Sequence, residues 1–500
     1  MRMRSVLRLV VMIVLLGVLL AQASSSRFDV VAQQAGSAED RTWTASSTVA
    51  SYPNCRFGAA QTGTPVSDLS QLDTLNLGWY LDWSSKLSPA TPHGMEYAQM
   101  VRVGDAWWPL PVAELSAKVA ANPGALWLIG NEPDRKYNQD DVLPEVYAQR
   151  YHEAYHAIKD QDPTAVIAAG GIVQPTPIRL ECLDRALQAY QDLYGEPLPA
   201  DAWHIHSFIL REASCEAYPD SCWGADVPRG FDVPAGELYT LDDIADLDIF
   251  KARIWEFRQW MRDRGYRDTA LLITEYSTLL PYYTSDLYYD SNGEPFDEAR
   301  TSAFMTGSFD FFLNATDPAL GYPEDNNRIV QRWLWWSLDD KDYGGRLYDA
   351  TGETPVLEQL GHDLAAYTGA IEPAVDLVAV DVEQINVPFS LTDPATVTLK
   401  VRVANAGNVA TGEPTTVTLT DGGGQPIDDP QAISAGLAGC ASVTEYTFTW
   451  SDLAPGAHSL RVEVDPDDVV VERDENNNEL QVQVLVSTAR VLMPLVSRGR

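Results

Sequence analysis

Two apolar runs in this chain end on a glutamate: "LWLIGNEPD" at 126–134 and "LLITEYS" at 271–277. Both acids follow strand-like runs, which places them at the mouth of a core rather than on an outer helix. Pro133 cannot donate to a ladder, so it helps stop the first strand beside Glu132. Two carboxylates facing one cleft are what glycoside hydrolysis requires. One protonates the leaving oxygen, and the other attacks the anomeric carbon or activates water. Residue types alone leave open which is which. On "AWHIHSF", 202–208, His204, His206 and Phe208 alternate with Trp203, Ile205 and Ser207 and so share a face. Aromatic residues are dense where cleft loops should lie: Trp79, Trp83, Trp107, Trp108, Tyr282, Tyr283, Tyr288, Tyr289, Trp335 and Trp336. Sugar C–H faces stack on such rings; for each tryptophan, packing between barrel and helix is the competing explanation. Asp82 either meets a sugar hydroxyl or caps its strand.

The elements that must hold these residues read as an α/β fold. Eight short apolar runs look like buried strands: "RFGAA" at 56, "LGWYLDW" at 77, "EYAQMVRV" at 96, "ALWLIGN" at 125, "AVIAAGG" at 165, "AWHIHSF" at 202, "ALLITEY" at 270 and "QRWLWWSL" at 331. Amphipathic stretches separate several of them, such as "PVAELSAKVAANPG", "VLPEVYAQRYHEAYHAIKDQDP" and "LDIFKARIWEFRQWMRDRGY". "VSDLSQLDTLN" and "LEQLGHDLAAYTG" also read as helical. The pattern predicts a (β/α)8 TIM barrel over 53–372, with catalytic groups at the C-terminal ends of its strands. From 374 to 487 the pattern becomes alternating, as in "ATVTLKVRVAN" and "HSLRVEVD", with frequent turns. It predicts an all-β, immunoglobulin-like sandwich domain. The last segment, 488–500, contains "RVLMPLVSRGR" and reads as an edge strand or an envelope signal.

Asn-Glu-Pro on the fourth strand and Thr-Glu-Tyr on the seventh resemble the retaining glycoside hydrolases of clan A. "GWYLDW", "EYAQMV", "GNEPD" and "DAWHIHSF" look most like its glycosyl-hydrolase catalytic core group, which includes endo-β-1,3-glucanases. The resemblance covers about 56–370. It implies Glu132 as acid/base, with a raised pKa when the site is loaded, and Glu275 as an ionised nucleophile. It also implies Asn131 on the sugar 2-OH, His206 beside the nucleophile, and Trp335 as the cleft tryptophan of strand eight. Trp79 and Asp82 join the substrate-binding set. Phe208 stands where the family often has tyrosine, so a hydroxyl contact to the nucleophile falls to Tyr276. Carboxylates about 5–5.5 Å apart and net retention follow from the family mechanism. The sandwich, through "VRVANAGNVATGE", "PGAHSLRVEVDP" and "VVERDENNNE", resembles the bacterial cell-adhesion-related domain, CARDB. That resemblance implies binding or spacing outside the cell.

Composition narrows the partners. Lys plus Arg number 35 against 71 Asp plus Glu, a net charge of −36 over 500 residues. Such a charge repels phosphate backbones and excludes nucleic acid as a natural partner. A neutral polysaccharide or oligosaccharide fits better. Residues 1–23 read as a signal peptide, with Arg2, Arg4 and Arg8 before an apolar core and Ala21-Gln22-Ala23 at its end. Residues 24–52 read as a flexible lead-in. The protein is expected to be secreted, with cell-envelope association open and oligomeric state undetermined. Of five cysteines, Cys215 and Cys222 flank a turn-rich loop and are expected to pair; Cys55 is assigned to Cys182, leaving Cys440 as a buried thiol. No cofactor and no metal-binding motif are expected. "DSNGE" at 290–294 reads as a plain turn. The chain therefore reads as a secreted retaining glycoside hydrolase. The alternative is a non-catalytic carbohydrate-binding or adhesion protein.

Overall fold

The computed structural model describes residues 54–221, 223–284 and 287–487. The expected signal peptide, the lead-in, Cys222 and the C-terminal tail lie outside these residues. Among the described residues no helix is long and apolar enough to cross a membrane.

The barrel strands are β1 (Phe57–Ala60), β2 (Trp79–Leu81), β3 (Glu96–Tyr97), β4 (Gln99–Val101), β5 (Leu126–Ile129), β6 (Val166–Ile172), β7 (Ala202–His206), β8 (Ala270–Tyr276) and β9 (Arg332–Trp335). They form one parallel sheet in the order β3-β2-β1-β9-β8-β7-β6-β5-β4. β3 and β4 are two halves of the third predicted strand, parted at Ala98. The first half pairs with β2 and the second with β5, so this one strand closes the barrel. All eight predicted strands are present. Alternation along each one sorts side chains into two layers. Ala60, Leu81, Leu128, Ala202, Leu272 and Leu334 fill the barrel interior. Ala59, Tyr80, Ile129, Trp203, Ile273 and Trp335 face outward to the helices.

Those helices are α1 (Val112–Ala121), α2 (Pro144–Lys159), α3 (Pro177–Tyr194), α4 (Leu247–Asp263), α5 (Glu298–Asn314) and α6 (Gln359–Gly369). "VSDLSQLDTLN" forms only two 3-10 turns, Val66–Asp68 and Leu72–Leu75. Its buried residues Val66, Leu69, Leu72 and Leu75 recur every three positions, which matches three residues per turn rather than 3.6. Helices α3 and α5 were not expected. The buried face of α3 begins with Arg179, a charge that interrupts its apolar stripe.

After a small ribbon of β10 (Tyr348–Asp349) and β11 (Val356–Leu357), the chain enters the sandwich. β12 (Leu377–Gln384), β13 (Ala395–Asn405) and β16 (Ser442–Leu453) form one antiparallel sheet. β14 (Thr415–Asp421), β15 (Gln431–Ile433), β17 (Gly456–Val464) and β18 (Glu479–Val486) form the other. Asn405 binds the backbone of Val409 and Leu437, so it holds a turn.

The sandwich sits at the N-terminal end of the barrel strands. Arg56, just before β1, forms a bidentate buried pair with Asp325 at 2.6 and 2.7 Å and also donates to Ala406 O of the sandwich at 3.0 Å. Arg402 of β13 pairs with the buried Glu324. Ala441 packs among the barrel-interior residues. A disulfide joins Cys55 to Cys440 across 385 residues of sequence. This corrects two expectations: Cys182 is a free buried thiol, and Cys440 is bonded. Disulfide pairing follows which loops meet at the barrel floor, and spacing carries no trace of that. Cys215 is disulfide-bonded; its expected partner Cys222 lies outside the described residues.

Candidate active site

Glu132 reaches the barrel mouth through a tight reversal after β5. Gly130 has φ 97° and Glu132 itself φ 46°, a left-handed conformation that costs a non-glycine residue roughly 1–2 kcal/mol. The turn is pinned by Glu132 N–H donating to Gly171 O at 2.7 Å. Gly171 has φ 73°, and a Cβ there would lie 2.7 Å from Gly130 O and 2.8 Å from His204 Cε1. Only glycine lets the ends of β5 and β6 approach so closely. On β8 the register shifts between Ile273 and Tyr276. The same irregularity against β7 brings Glu275 opposite His206. A bulge of this kind re-aims side chains next to it.

His206 lies between the two acids. Its Nδ1 is 3.1 Å from Glu132 Oε1, and its Nε2 is 3.3 Å from Glu275 Oε1. One oxygen from each carboxylate and one imidazole nitrogen lie within 4.8 Å of one another. Trp83 Nε1–H donates to Glu275 Oε1 at 2.5 Å, and Arg135 Nη1–H donates to Glu132 Oε2 at 3.0 Å. The acids are 2% and 4% exposed, yet both line a cavity of about 670 Å³ with Arg135, Phe208, Trp223 and Trp336.

Electrostatics divide the pair. Burial opposes charge on Glu132, but the His206 hydrogen bond and the Arg135 charge outweigh it and draw this carboxyl down to about 2. Burial pushes Glu275 up to about 7, assisted by the charge of Glu132 against the pull of His206. Burial also opposes the His206 imidazolium, yet Glu275 and Glu132 together raise it above its ordinary value. The two carboxyls titrate as a pair. The directions, Glu132 down and Glu275 up, run opposite to the acid/base and nucleophile roles that the clan A resemblance implies.

The remaining expected residues divide into those at the site and those elsewhere. Asn131 is buried beside Glu132; its Nδ2 donates to Gln139 at 3.0 Å, while its Oδ1 accepts no protein hydrogen bond. His204 is a core histidine, held well below its ordinary pKa, at about 3, by burial and by His206. Trp335 is not a cleft residue. It faces the helices, packs edge-on against Tyr276, and donates to Gly345 O at 2.6 Å. Trp336 lines the cavity instead, because strand parity turns it inward with Leu334. Tyr276 likewise points outward, where Ser308 Oγ donates to its hydroxyl at 3.1 Å, so it supplies no contact to Glu275. Trp79 lies at the opposite end of the barrel, donating to Arg56 O at 3.1 Å and covered by Arg332. Asp82 is held by the side chains of Tyr97, Lys86 and Ser84 and does not line the cavity with the two acids. "DSNGE" is a turn: Asp290 accepts from Asn292 N and Glu294 N.

Two features depart from the sequence reading, one that the sequence does not mark and one that it spells out. Arg135 joins the site from the loop after β5 and Arg179 from the first turn of α3, and no periodic signal marks either as part of a site. Arg179 is fully buried and binds Asp134 Oδ2, Asp134 O, Glu212 Oε1, Ala225 O and Asp226 O, all at 2.6–3.0 Å. It ties the Glu132 loop to the cavity wall. The string His152-Glu153-Ala154-Tyr155-His156 carries the His-Glu-x-x-His spacing of zinc hydrolases, contrary to the expectation that the chain has no metal-binding motif. It lies on α2, outside the barrel. His152 stacks on Tyr194 at 3.6 Å and meets Tyr190 OH at 2.9 Å. Among the described residues, only Glu132, His206 and Glu275 form a three-residue group with ligand spacing.

Comparison with known proteins separates the two halves of the chain. The CARDB family model matches residues 374–482. This segment is a CARDB domain. The CARDB domain of a Pyrococcus furiosus protein, solved with di-metal ions, is 22% identical, with a TM-score of 0.20, covering 24% of this chain and 100% of that one. An endo-β-1,4-mannanase from Thermotoga petrophila is 9% identical, TM-score 0.34, over 87% of this chain and 98% of that one. A glucosidase from Croceicoccus marinus is 12% identical, TM-score 0.39, over 88% and 94%. No curated protein matches the chain.

Proposed function

We propose that this protein is a retaining glycoside hydrolase acting on a neutral, β-linked polysaccharide. The observation that carries the reading is the pair of buried strand-end carboxylates, bridged by His206 within 4.8 Å at the base of an open cavity. Retaining glycosidases place their carboxyls about 5–5.5 Å apart, whereas inverting ones need about 6.5–9.5 Å to admit a water. Facing carboxylate oxygens within 4.8 Å of each other leave little room for such a water and support the first class. Glu275 attacks the anomeric carbon as Glu132 delivers its proton to the departing glycosidic oxygen. Water then cleaves the glycosyl ester, with Glu132 taking its proton. Trp83 Nε1–H and His206 support the carboxylate of Glu275, and Trp336 offers a ring face to the sugar. The CARDB domain and the apolar N-terminus support export and a place outside the cell, at or near the envelope. Incubation with laminarin, mannan, xylan and cellulose tests the reading. Shortened products with retained anomeric configuration, seen by proton NMR before mutarotation, are expected. Intact polymer that stays bound would instead favour a carbohydrate-binding protein.

A further inference from the structure

Arg135 has no part in the mechanism above, yet it touches one of the two acids. Both oxygens of Glu132 are occupied: Oε1 by His206 at 3.1 Å and Oε2 by Arg135 at 3.0 Å. A guanidinium only donates. An oxygen held by it cannot carry a proton toward it. A proton on Oε1 would face the fully buried His206. Oε2 is the oxygen turned toward Arg135, and Glu132 and Arg135 both line the cavity. To protonate a leaving group from that side, Glu132 must first lose the Arg135 contact.

Arg135 is built to let go. Its side chain is 26% exposed. Its Nε has no protein partner, and its Nη2 reaches only Gly224 O, at 3.5 Å. Arg179 nearby makes five close bonds and is fully buried. One arginine is a fixed tie; the other is partly exposed on the cavity wall that Asn138, Gln139 and Tyr343 also line, with a weakly held Nη2 and a buried Nε that no protein group accepts from. The charged and titratable groups around Glu132 are His206 on β7, Glu275 on β8, Asp134 and Arg135 on its own loop, and Arg179 on α3. Of the cations, only Arg135 is both in contact with Glu132 and partly exposed.

We propose that Arg135 is a displaceable clamp on Glu132: in the empty cleft it holds the carboxylate ionised, and a sugar in the leaving-group subsite takes over the guanidinium and frees the carboxyl to carry its proton. This positioning role rests on the glycosidase reading. Sugar hydroxyl oxygens are the acceptors that would satisfy the spare Nε and Nη2 donors.

The test compares pH profiles of wild type and Arg135→Met. The alkaline limb of kcat/KM reports the free enzyme and that of kcat the complex. A guanidinium beside the acid pair lowers the pH at which its last proton leaves. In wild type the kcat limb is therefore expected about one pH unit or more above the kcat/KM limb. In Arg135→Met the kcat/KM limb rises and the two limbs coincide. Coincident limbs in wild type, or an unchanged gap in the variant, overturn the clamp. Arg135→Gln serves if the methionine variant does not fold. A second readout is independent of turnover: carbon-13 NMR of labelled glutamate carboxyls in the Glu275→Gln background, with Glu132 identified by its loss in Glu132→Gln. Removing Arg135 should raise the Glu132 titration by about one unit or more; an unmoved titration overturns the clamp. If wild type hydrolyses no glycoside while Glu132 still shifts, the clamp stands and the substrate class is wrong.

Discussion

At the residue scale, two acids of the same type are made unlike by their neighbours. Glu132 faces a guanidinium and an imidazole; Glu275 faces an indole N–H and the charge of Glu132. The consequence for pH follows from the pair. As pH rises through about 7, the value for Glu275, the pair loses its last proton and neither carboxyl can act as an acid. The kcat/KM profile should therefore fall above about pH 7; a flat profile to pH 9 would contradict this. Glu132→Gln should lower kcat roughly 10²–10⁴-fold on substrates with poor leaving groups. It should cost far less with an activated aryl glycoside, whose departure needs no proton. Glu275→Gln should abolish turnover of both. If the two variants respond to leaving group in the opposite sense, the roles are exchanged. Both glutamates were legible in the sequence because each ends an apolar run. Arg135 was not, because its loop has no period and its partner is set by a turn at positive φ.

At the element scale, strand parity decides which side chain sees the cleft. On β9, Trp333 and Trp335 face outward into the aromatic layer with Phe57 and Tyr276, so the cleft receives Trp336. The sequence shows two adjacent tryptophans, and one residue of register separates a cavity-lining ring from a core filler. Trp79 and Trp83 share the inward face of their strand, but only the second stands at the mouth. The same scale contains the close approach of β5 and β6 at Gly171. Gly171→Ala places a Cβ against Gly130 O and His204 in a left-handed backbone. It should cost about 1–3 kcal/mol by strain, measured by denaturant unfolding. Because Glu132 N–H bonds to Gly171 O, kcat should fall as well. Unchanged stability and turnover would mean that the strand ends are free to part.

At the scale of the molecule, the barrel and the CARDB domain are fastened at the end opposite the acids. The Cys55–Cys440 disulfide, the Arg402–Glu324 pair, the Arg56 bond to Ala406 O and Ala441 in the barrel floor make the sandwich a pedestal rather than an arm reaching over the cleft. Replacing Cys55 and Cys440 together by serine should reduce unfolding free energy by about 2–5 kcal/mol, seen as a lower guanidinium midpoint. It should leave kcat nearly unchanged at 25 °C. A parallel loss of kcat would mean that the floor and the site are mechanically coupled.

The sequence by itself determined the eight strands, the change to alternating β-structure after residue 373, and the two strand-end glutamates. These are local properties: apolar runs, periods of two, and a proline or turn at the end of a run. Only the tertiary structure decided that Trp83 and Trp336 replace Trp79 and Trp335 at the site. It also decided that Tyr276 faces a helix, that Cys55 meets Cys440, and that an arginine holds the acid. Each depends on a bulge, a left-handed turn or a meeting of loops hundreds of residues apart. Packing of the whole chain sets those, and no window of sequence contains them.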